Sequence, residues 1–366
     1  MNGVSILPLM KIGFRKLLRM EFVRRLKNRR TNLHMLHQLF WECTLKCNLS
    51  CLHCGSDCKA IEKQHDMPLV NFISVLDEIS KVVEPQRILV ITTGGEPLVR
   101  PDIVQCGREI SSRGFMWGMV TNGLLLSEEM LDELIDAGLQ TIAISLDGFD
   151  DDHNWMRGNH HSFEKAVSAI KALTRKNIVW DVISCVNQRN IGRLNEFKEF
   201  LKSIGVKKWR IFTVFPEGRA KENMELYLDS SQMKWLMDFI SETRKSDKSI
   251  QLNYSCEGFL GAYEYEVRDY PFFCQAGINV ASILNNGDIS GCLSIRPDYC
   301  QGNIYHDNFM DVWQNGFHVY RNRSWMKIGP CEKCNVWRYC EGGSFHLRDG
   351  KGKLSICHWN KLSRHV

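Results

Sequence analysis

Between residues 36 and 215, short apolar and β-branched runs alternate with longer segments whose apolar residues recur at helical spacing. The runs 39–44 (LFWECT), 87–92 (RILVIT), 116–121 (MWGMVT), 141–146 (TIAISL), 179–186 (VWDVISCV) and 209–214 (WRIFTV) predict six strands. The segments between them predict helices over 69–82, 102–112, 127–137, 163–175 and 191–204. Ser127 stands where an N-cap belongs, ahead of Glu128 and Glu129, and Gly138 and Gly205 stand where helices stop. Six β/α units in succession predict an α/β fold with a parallel sheet, curved or closed, and ligands at the carboxyl ends of the strands.

The texture changes after about residue 216. A helical pattern over 230–245 leads into a region, 266–366, that is poor in long periodic segments and rich in Cys, Gly, Asn and Trp, as expected of a small domain held by metal. The expected organisation is an N-terminal segment (1–35), a core barrel (36–220), a helical bridge (221–265) and a small metal-binding domain (266–366).

Composition narrows the function. With 366 residues, 44% of them hydrophobic and 24% charged, the chain can build its own core, which excludes disorder and short disulfide scaffolds. Residues 11–30 carry nine Lys or Arg against one acid, Glu21, whereas the whole chain has a formal net charge of only +5, so the remainder is slightly acidic. A nucleic-acid partner is therefore not expected. No apolar run is long enough for a spanning helix, and basic residues interrupt the N-terminus too often for a secretion signal. A cytoplasmic protein is expected, and in a reducing compartment 15 cysteines clustered at short spacing read as metal ligands.

The first cluster is Cys47-Asn48-Leu49-Ser50-Cys51-Leu52-His53-Cys54, directly after the first strand. Three thiolates on one short loop can hold three irons of a cubane and leave the fourth open to a ligand. A zinc site completed by Cys43, Cys58 or His53 is the alternative. After the second strand comes Gly94-Gly95-Glu96-Pro97, where two residues without side chains admit a ligand close to the backbone and a carboxylate can meet an ammonium. In isolation such a run is a strand-to-helix turn.

The approach FWECTLKCNL, the C-x3-C-x2-C loop and the following GGEP together resemble the radical S-adenosylmethionine (SAM) superfamily. The resemblance implies a partial (β/α)6 TIM-like barrel and a 4Fe-4S cluster on Cys47, Cys51 and Cys54, with SAM chelating the fourth iron. One-electron reduction would cleave SAM to methionine and a 5′-deoxyadenosyl radical that abstracts a substrate hydrogen, the electron coming from a donor such as flavodoxin or ferredoxin. It further implies that Gly94, Gly95, Glu96 and Pro97 bind the methionyl end of SAM and that Ser145, Arg157 and Asn187, at the ends of later strands, also contact it. Thr121-Asn122-Gly123 and Pro216-Glu217-Gly218-Arg219-Ala220 match further segments of the family. Arg157 could equally be a surface ion-pair partner, and Cys106 and Cys185 read as small buried residues.

Cys274, then Gly287 and Cys292, then Cys331-x2-Cys334-x5-Cys340 and finally Cys357 resemble the SPASM extension of radical SAM peptide maturases. That implies an auxiliary 4Fe-4S cluster on Cys331, Cys334, Cys340 and Cys357. The seventh family cysteine is here Ser344, so a second auxiliary cluster on Cys274 and Cys292 needs a substitute ligand, Cys256, Cys300 or His346, or that site is vacant. The resemblance makes a peptide or protein the expected substrate. It extends to the subgroup encoded with small lipoproteins, which would make the substrate a lipoprotein precursor. Haem-side-chain-modifying radical SAM enzymes, acting on a tetrapyrrole, are the alternative, and a non-catalytic iron-sulfur or zinc protein is the alternative of another class. Only 46 residues precede Cys47, too few for the recognition domain that some maturases carry in front, so leader recognition is expected elsewhere. Phe14, Leu18, Phe22 and Leu26 among basic residues form a cationic amphipathic helix, suited to an anionic membrane surface or an acidic peptide, or else simply packed against the barrel. No residue stands out as a general acid or base.

Overall fold

The computed structural model describes residues 12–58, 65–295 and 298–363. The first eleven residues of the expected N-terminal segment lie outside the described residues. Helix α1 (Phe14–Leu33) leads to strand β1 (Gln38–Thr44), and the chain then runs α2 (Leu69–Ser80), β2 (Leu89–Gly94), α3 (Ile103–Ser112), β3 (Met116–Thr121), α4 (Glu128–Asp136), β4 (Leu139–Ser145), α5 (Asp150–Arg157), α6 (Ser162–Leu173), β5 (Val179–Val186), α7 (Leu194–Ser203) and β6 (Lys208–Thr213). Strands β1 to β6 pair in chain order and in parallel, as expected of the partial (β/α)6 barrel. The Ser127 hydroxyl accepts from the backbone N–H of Met130 at 3.1 Å, so it caps α4 as anticipated. Gly138 and Gly205 have φ of +99° and +89°, the left-handed values at which glycine ends a helix.

Helix α5 and the strands that extend the sheet at both edges are additions to the expected set. Helix α5, whose sequence DDDHNWMR lacks an apolar stripe, begins with three acids in its first turn. After α8 (Ser230–Ser246), strand β7 (Gln251–Tyr254) joins the sheet in parallel beyond β6, within the segment expected as a helical bridge. On the opposite edge β8 (Val280–Ile283) pairs in parallel with β1, and β9 (Asp288–Ser290) and β10 (Gly302–Asn303) continue the sheet antiparallel. The cysteine-rich region is therefore built onto the barrel sheet, which has the order β10-β9-β8-β1-β2-β3-β4-β5-β6-β7. Gly287 of the second cysteine pattern makes the β8–β9 hairpin: its φ is +90° and its N–H bonds to the Leu284 carbonyl.

The core lies between this sheet and its helices. Trp41, Trp117 and Trp209, on β1, β3 and β6, are all fully buried. Gly107 on α3 makes room for Trp117, since a Cβ there would stand 2.0 Å from the indole ring. Burying such large rings stabilises the fold by several kcal/mol each, and truncating one typically costs about 3–5 kcal/mol.

Helix α1 docks on the cysteine-rich region. Glu21 accepts from Arg338, Arg19 lies over the Tyr265 ring, Lys16 pairs with Glu266, and the buried Lys27 donates to the Tyr339 carbonyl at 3.1 Å. The docked face is not the apolar stripe. Phe14, Leu18, Phe22 and Leu26 all face solvent, being 74%, 56%, 62% and 39% exposed. Among the described residues no helix is long and apolar enough to cross a membrane.

Candidate functional site

Every motif found after a strand lies at the same, carboxyl end of the parallel sheet. The Cys47–Cys54 loop leaves β1, and each later segment fastens part of it. From the turn after β2, the N–H groups of Gly95 and Glu96 donate to the carbonyls of Thr44 and Lys46, both at 2.9 Å. From α5, the carbonyls of Arg157 and Met156 accept from Ser50 and Leu52. From the segment after β6, Arg219 donates its N–H to Cys54 O at 3.0 Å and its Nε to Cys51 O at 2.8 Å. Asn122, after β3, donates to the Asn48 side chain at 2.8 Å. The loop is thus held by four separate strand ends before any metal is considered.

The glycines serve this fastening. A Cβ on Gly94 would lie 2.1 Å from the Thr44 carbonyl, one on Gly95 2.1 Å from that of Lys46, and one on Gly218 2.3 Å from that of Cys54. What approaches Gly94 and Gly95 in this structure is the backbone of the cysteine loop itself. The neighbouring Pro97 is buried and opens a short turn behind them.

Glu96 is buried, and its carboxylate accepts from Leu98 N (3.1 Å), Thr121 Oγ1 (2.6 Å) and Asn122 N (2.8 Å). A carboxylate has room for about four hydrogen bonds, which leaves capacity for one further donor. Burial raises its pKa, and the three hydrogen bonds oppose that rise. Arg157 is also buried and is no surface ion-pair partner. Its Nε donates to Asp147 Oδ2 at 2.7 Å and its Nη1 lies 3.8 Å from the Cys51 sulfur. Burial alone would raise the Asp147 carboxyl, but the Arg157 cation together with the neighbouring His153 and His53 outweighs it and holds the group well below the ordinary carboxylate range. Asp147 also accepts from the Cys185 N–H at 2.9 Å. His153 Nδ1 accepts from the Asp147 N–H at 3.0 Å, so this ring is neutral, in keeping with a pKa lowered by burial. Asn187 is buried with its side-chain oxygen accepting from Arg189 N and Asn190 N, so that oxygen shapes its own turn. Ser145 ends β4, half-buried at the same rim.

Cys47, Cys51 and Cys54 are close enough to perturb one another. Burial pushes Cys47 up to about 11 and raises Cys51, whereas a hydrogen bond from Cys58 lowers Cys54. The set fits an iron-sulfur cluster: three soft donors on one loop, with the Arg157 cation beside a sulfur to offset thiolate charge. Cys43 is buried in the main core, whereas Cys58 stands beside Cys54. Cys106 is fully buried, as expected. Cys185 is not a plain core residue: its sulfur, His53 and Asp147 present ligand atoms within 4.8 Å of one another. Burial takes His53 down to about 4.

In the C-terminal region Cys331, Cys334, Cys340 and Cys357 line a single cavity together with Gly258, Phe259 and Trp359. Burial pushes Cys340 up to about 12 and raises Cys334 and Cys357, each helped by the neighbouring thiols. Four thiols around one largely apolar space fit a fully ligated cluster. A second group forms from Cys256, Cys274 and Cys292: Cys292 and Cys274 stand near enough to act electrostatically on Cys256, and Cys274 on Cys292. Cys256 comes from the end of β7, a strand whose position only the fold reveals. Ser344 is fully buried: its hydroxyl donates to the Cys256 carbonyl at 2.6 Å and accepts from Gly258 N at 3.2 Å. It pins the loop that carries Cys256. His346 lies beside Phe215, the rings tilted at 42° with centroids 4.6 Å apart, and among the described residues its Nε2 has no hydrogen-bond partner.

A parallel α/β barrel with a three-thiol loop at the carboxyl end of its first strand, continued by a cysteine-lined annex, is the architecture of an iron-sulfur enzyme. Comparison with known proteins says which. A family model of the radical SAM superfamily matches residues 41–201, and one of an iron-sulfur cluster-binding domain, SPASM, matches residues 274–335. The AdoMet-dependent heme synthase of Methanosarcina barkeri is 26% identical over 320 residues, covering 82% of this chain and 89% of that protein. Mycofactocin maturase MftC of Mycolicibacterium smegmatis is 28% identical over 313 residues, covering 83% and 77%. Among solved structures, Streptococcus suis SuiB bound to its precursor peptide SuiA shares the fold with a TM-score of 0.69 at 16% identity, over 93% of this chain and 80% of that one. Residues 41–201 form a radical SAM domain and residues 274–335 a SPASM domain. The protein is a radical SAM enzyme whose cofactors are SAM, a 4Fe-4S cluster and auxiliary iron-sulfur chemistry in the SPASM region.

Proposed function

We propose that the protein modifies a peptide or protein substrate by radical hydrogen abstraction at the carboxyl end of its barrel. In this reading residues 36–220 form the radical core, 221–265 the bridge and 266–366 the auxiliary-cluster domain. Cys47, Cys51 and Cys54 hold the cluster that, with SAM bound, supplies the radical. The chain's own residues do the rest. Glu96 offers its remaining acceptor site to the SAM ammonium, and Gly94, Gly95 and Pro97 fix the turn that aims it. Arg157 keeps a positive charge against Cys51, and Ser145 and Asn187 close the rim. Burial of Glu96, Asp147 and Arg157 keeps water from the reacting end.

The observation that carries the peptide reading is the convergence of Cys256, Cys274 and Cys292. One auxiliary cluster alone resembles the haem-side-chain-modifying enzymes, whereas a second thiol group supports the three-cluster pattern of a peptide maturase. The precursor peptide in the SuiB complex and the maturase relative support the same choice. The tetrapyrrole reading is kept because relatives that cover most of this chain are heme synthases. Reconstituted enzyme given SAM, reductant and either small precursor peptides or an iron porphyrin separates the two. Deoxyadenosine formation stimulated by a peptide, with a mass change in that peptide, is expected; stimulation by the porphyrin alone overturns the peptide reading.

A flavodoxin or ferredoxin would supply the electron. The outward face of α1 supports contact with an anionic membrane surface, where a lipoprotein precursor would be met: Phe14, Leu18 and Phe22 share it with the exposed Arg15, Arg25 and Arg29. Co-sedimentation with phosphatidylglycerol vesicles, lost in Leu18→Asp/Phe22→Asp, tests this; equal sedimentation of both proteins would refute it.

A further inference from the structure

The clearest unexplained side chain lies at the four-thiol cavity. Arg348 is 2% exposed. Its Nη2 stands 3.0 Å from the Cys331 sulfur, its Nε donates to the Gly342 carbonyl at 2.9 Å, and its Nη1 donates to the Gly352 carbonyl at 2.6 Å. Both carbonyls are neutral, and among the described residues no carboxylate lies within ion-pair distance. The sequence makes room for this arrangement. Gly342, at φ +85°, turns the chain back after Cys340, and a Cβ there would come within 3.0 Å of Nη2. A rigid fork that grips two backbone carbonyls and reaches a sulfur at once is something Arg does and Lys cannot.

We propose that Arg348 sets the reduction potential of the auxiliary cluster on Cys331, Cys334, Cys340 and Cys357, through a charge-assisted hydrogen bond to the Cys331 sulfur. This rests on the reading that these four cysteines hold a cluster. Taking up one electron from an external reductant makes such a cluster one unit more negative. A fixed cation with an N–H aimed at a ligand sulfur stabilises the reduced form more than the oxidised one, so it raises the potential. The surroundings strengthen the effect, since Phe259, Val336, Leu347, Ile356 and Trp359 give the cavity a largely apolar wall. Lys27 provides an internal contrast. It is also buried, but it lies 3.3 Å from Glu341, which answers its charge, and it donates to a carbonyl, not to a sulfur.

The test uses the full-length chain carrying Cys47→Ala, Cys51→Ala and Cys54→Ala, so that the radical cluster does not contribute, reconstituted anaerobically. Redox titration is followed by electron paramagnetic resonance, with iron and sulfide counted in every sample. At the potential where the parent is half reduced, Arg348→Ala is expected to lower the ratio of reduced to oxidised cluster at least tenfold, which is 59 mV for a one-electron couple. Arg348→Gln, which keeps an N–H donor but loses the charge, should fall between the two, and Lys27→Met should move the ratio less than either. An unchanged potential with full iron content in Arg348→Gln overturns the proposal, as does loss of about four irons in Arg348→Gln, which would make Arg348 a structural support only. A Lys27→Met shift as large as that of Arg348→Ala also overturns it. If Cys334→Ala and Cys340→Ala leave the iron count of the parent unchanged, the cluster assignment itself fails, which is distinct from failure of the tuning.

Discussion

Arg157 and Asp147 form a pair that ties the end of β4 to the cysteine loop, and both are buried, at 7% and 1% exposure. Replacing Arg157 by Met leaves the Asp147 carboxylate in the interior without its cation, beside the Cys185 N–H and the neighbouring rings of His153 and His53. Breaking such a buried pair from one side costs about 3–5 kcal/mol, because the surviving charge stays desolvated. Replacing both, as Arg157→Met with Asp147→Asn, removes the charges together, and an Asn oxygen can still accept from Cys185 N. The double variant is therefore expected to lose less stability than Arg157→Met alone. Urea unfolding of the apoprotein under reducing conditions, followed by far-ultraviolet circular dichroism, measures Arg157→Met, Asp147→Asn and the double variant. If the losses of the two single variants simply add in the double, the two side chains do not share one charge balance and the reasoning is wrong.

Two further consequences are open to direct measurement. Gly95→Ala places a Cβ 2.1 Å from the Lys46 carbonyl and should separate the turn from the cysteine loop. Losing the hydrogen bonds of Gly95 and Glu96, worth about 1 kcal/mol each, should lower the urea midpoint and the iron held by Cys47, Cys51 and Cys54, and a variant that loads like the parent would contradict this. Burial pushes the Glu257 carboxyl from 4.5 up to about 7, so the fold favours its protonated form. That stability is fully present below the unfolded value of 4.5 and is lost as pH rises through 7, a change of about 3 kcal/mol. Urea midpoints taken from pH 5 to pH 8 should fall more steeply in the parent than in Glu257→Gln; parallel curves would refute the assignment.

What could be read from sequence and what could not divides along chain separation. Strands β1 to β6 are apolar runs of six to eight residues, long enough for their period to speak, and the helices between them carry regular apolar faces. Strands β7 and β8 are four residues each, and their place is decided by partners far away in the chain: β8 is recruited by β1 across some 240 positions. The cysteine spacings were legible because a cluster loop is local. The side chains that discipline those loops were not, since Arg157 to Cys51, Arg219 to Cys51 and Arg348 to Cys331 are contacts that no periodicity encodes. Gly94 and Gly95 were visible as a motif, yet their physical reason, the crossing of two backbones, needed the fold. Cys256 gave no signal beyond being a cysteine; its meaning came from the position of β7.

The central claim is that Cys47, Cys51 and Cys54 leave one iron free to bind SAM. The measurement that tests it most directly is electron paramagnetic resonance of the dithionite-reduced, reconstituted protein before and after SAM is added, with deoxyadenosine and methionine assayed in the same sample. Added SAM should alter a cluster signal that Cys47→Ala lacks, and both products should form in the parent only. A spectrum indifferent to SAM, or equal product formation in Cys47→Ala, would contradict it.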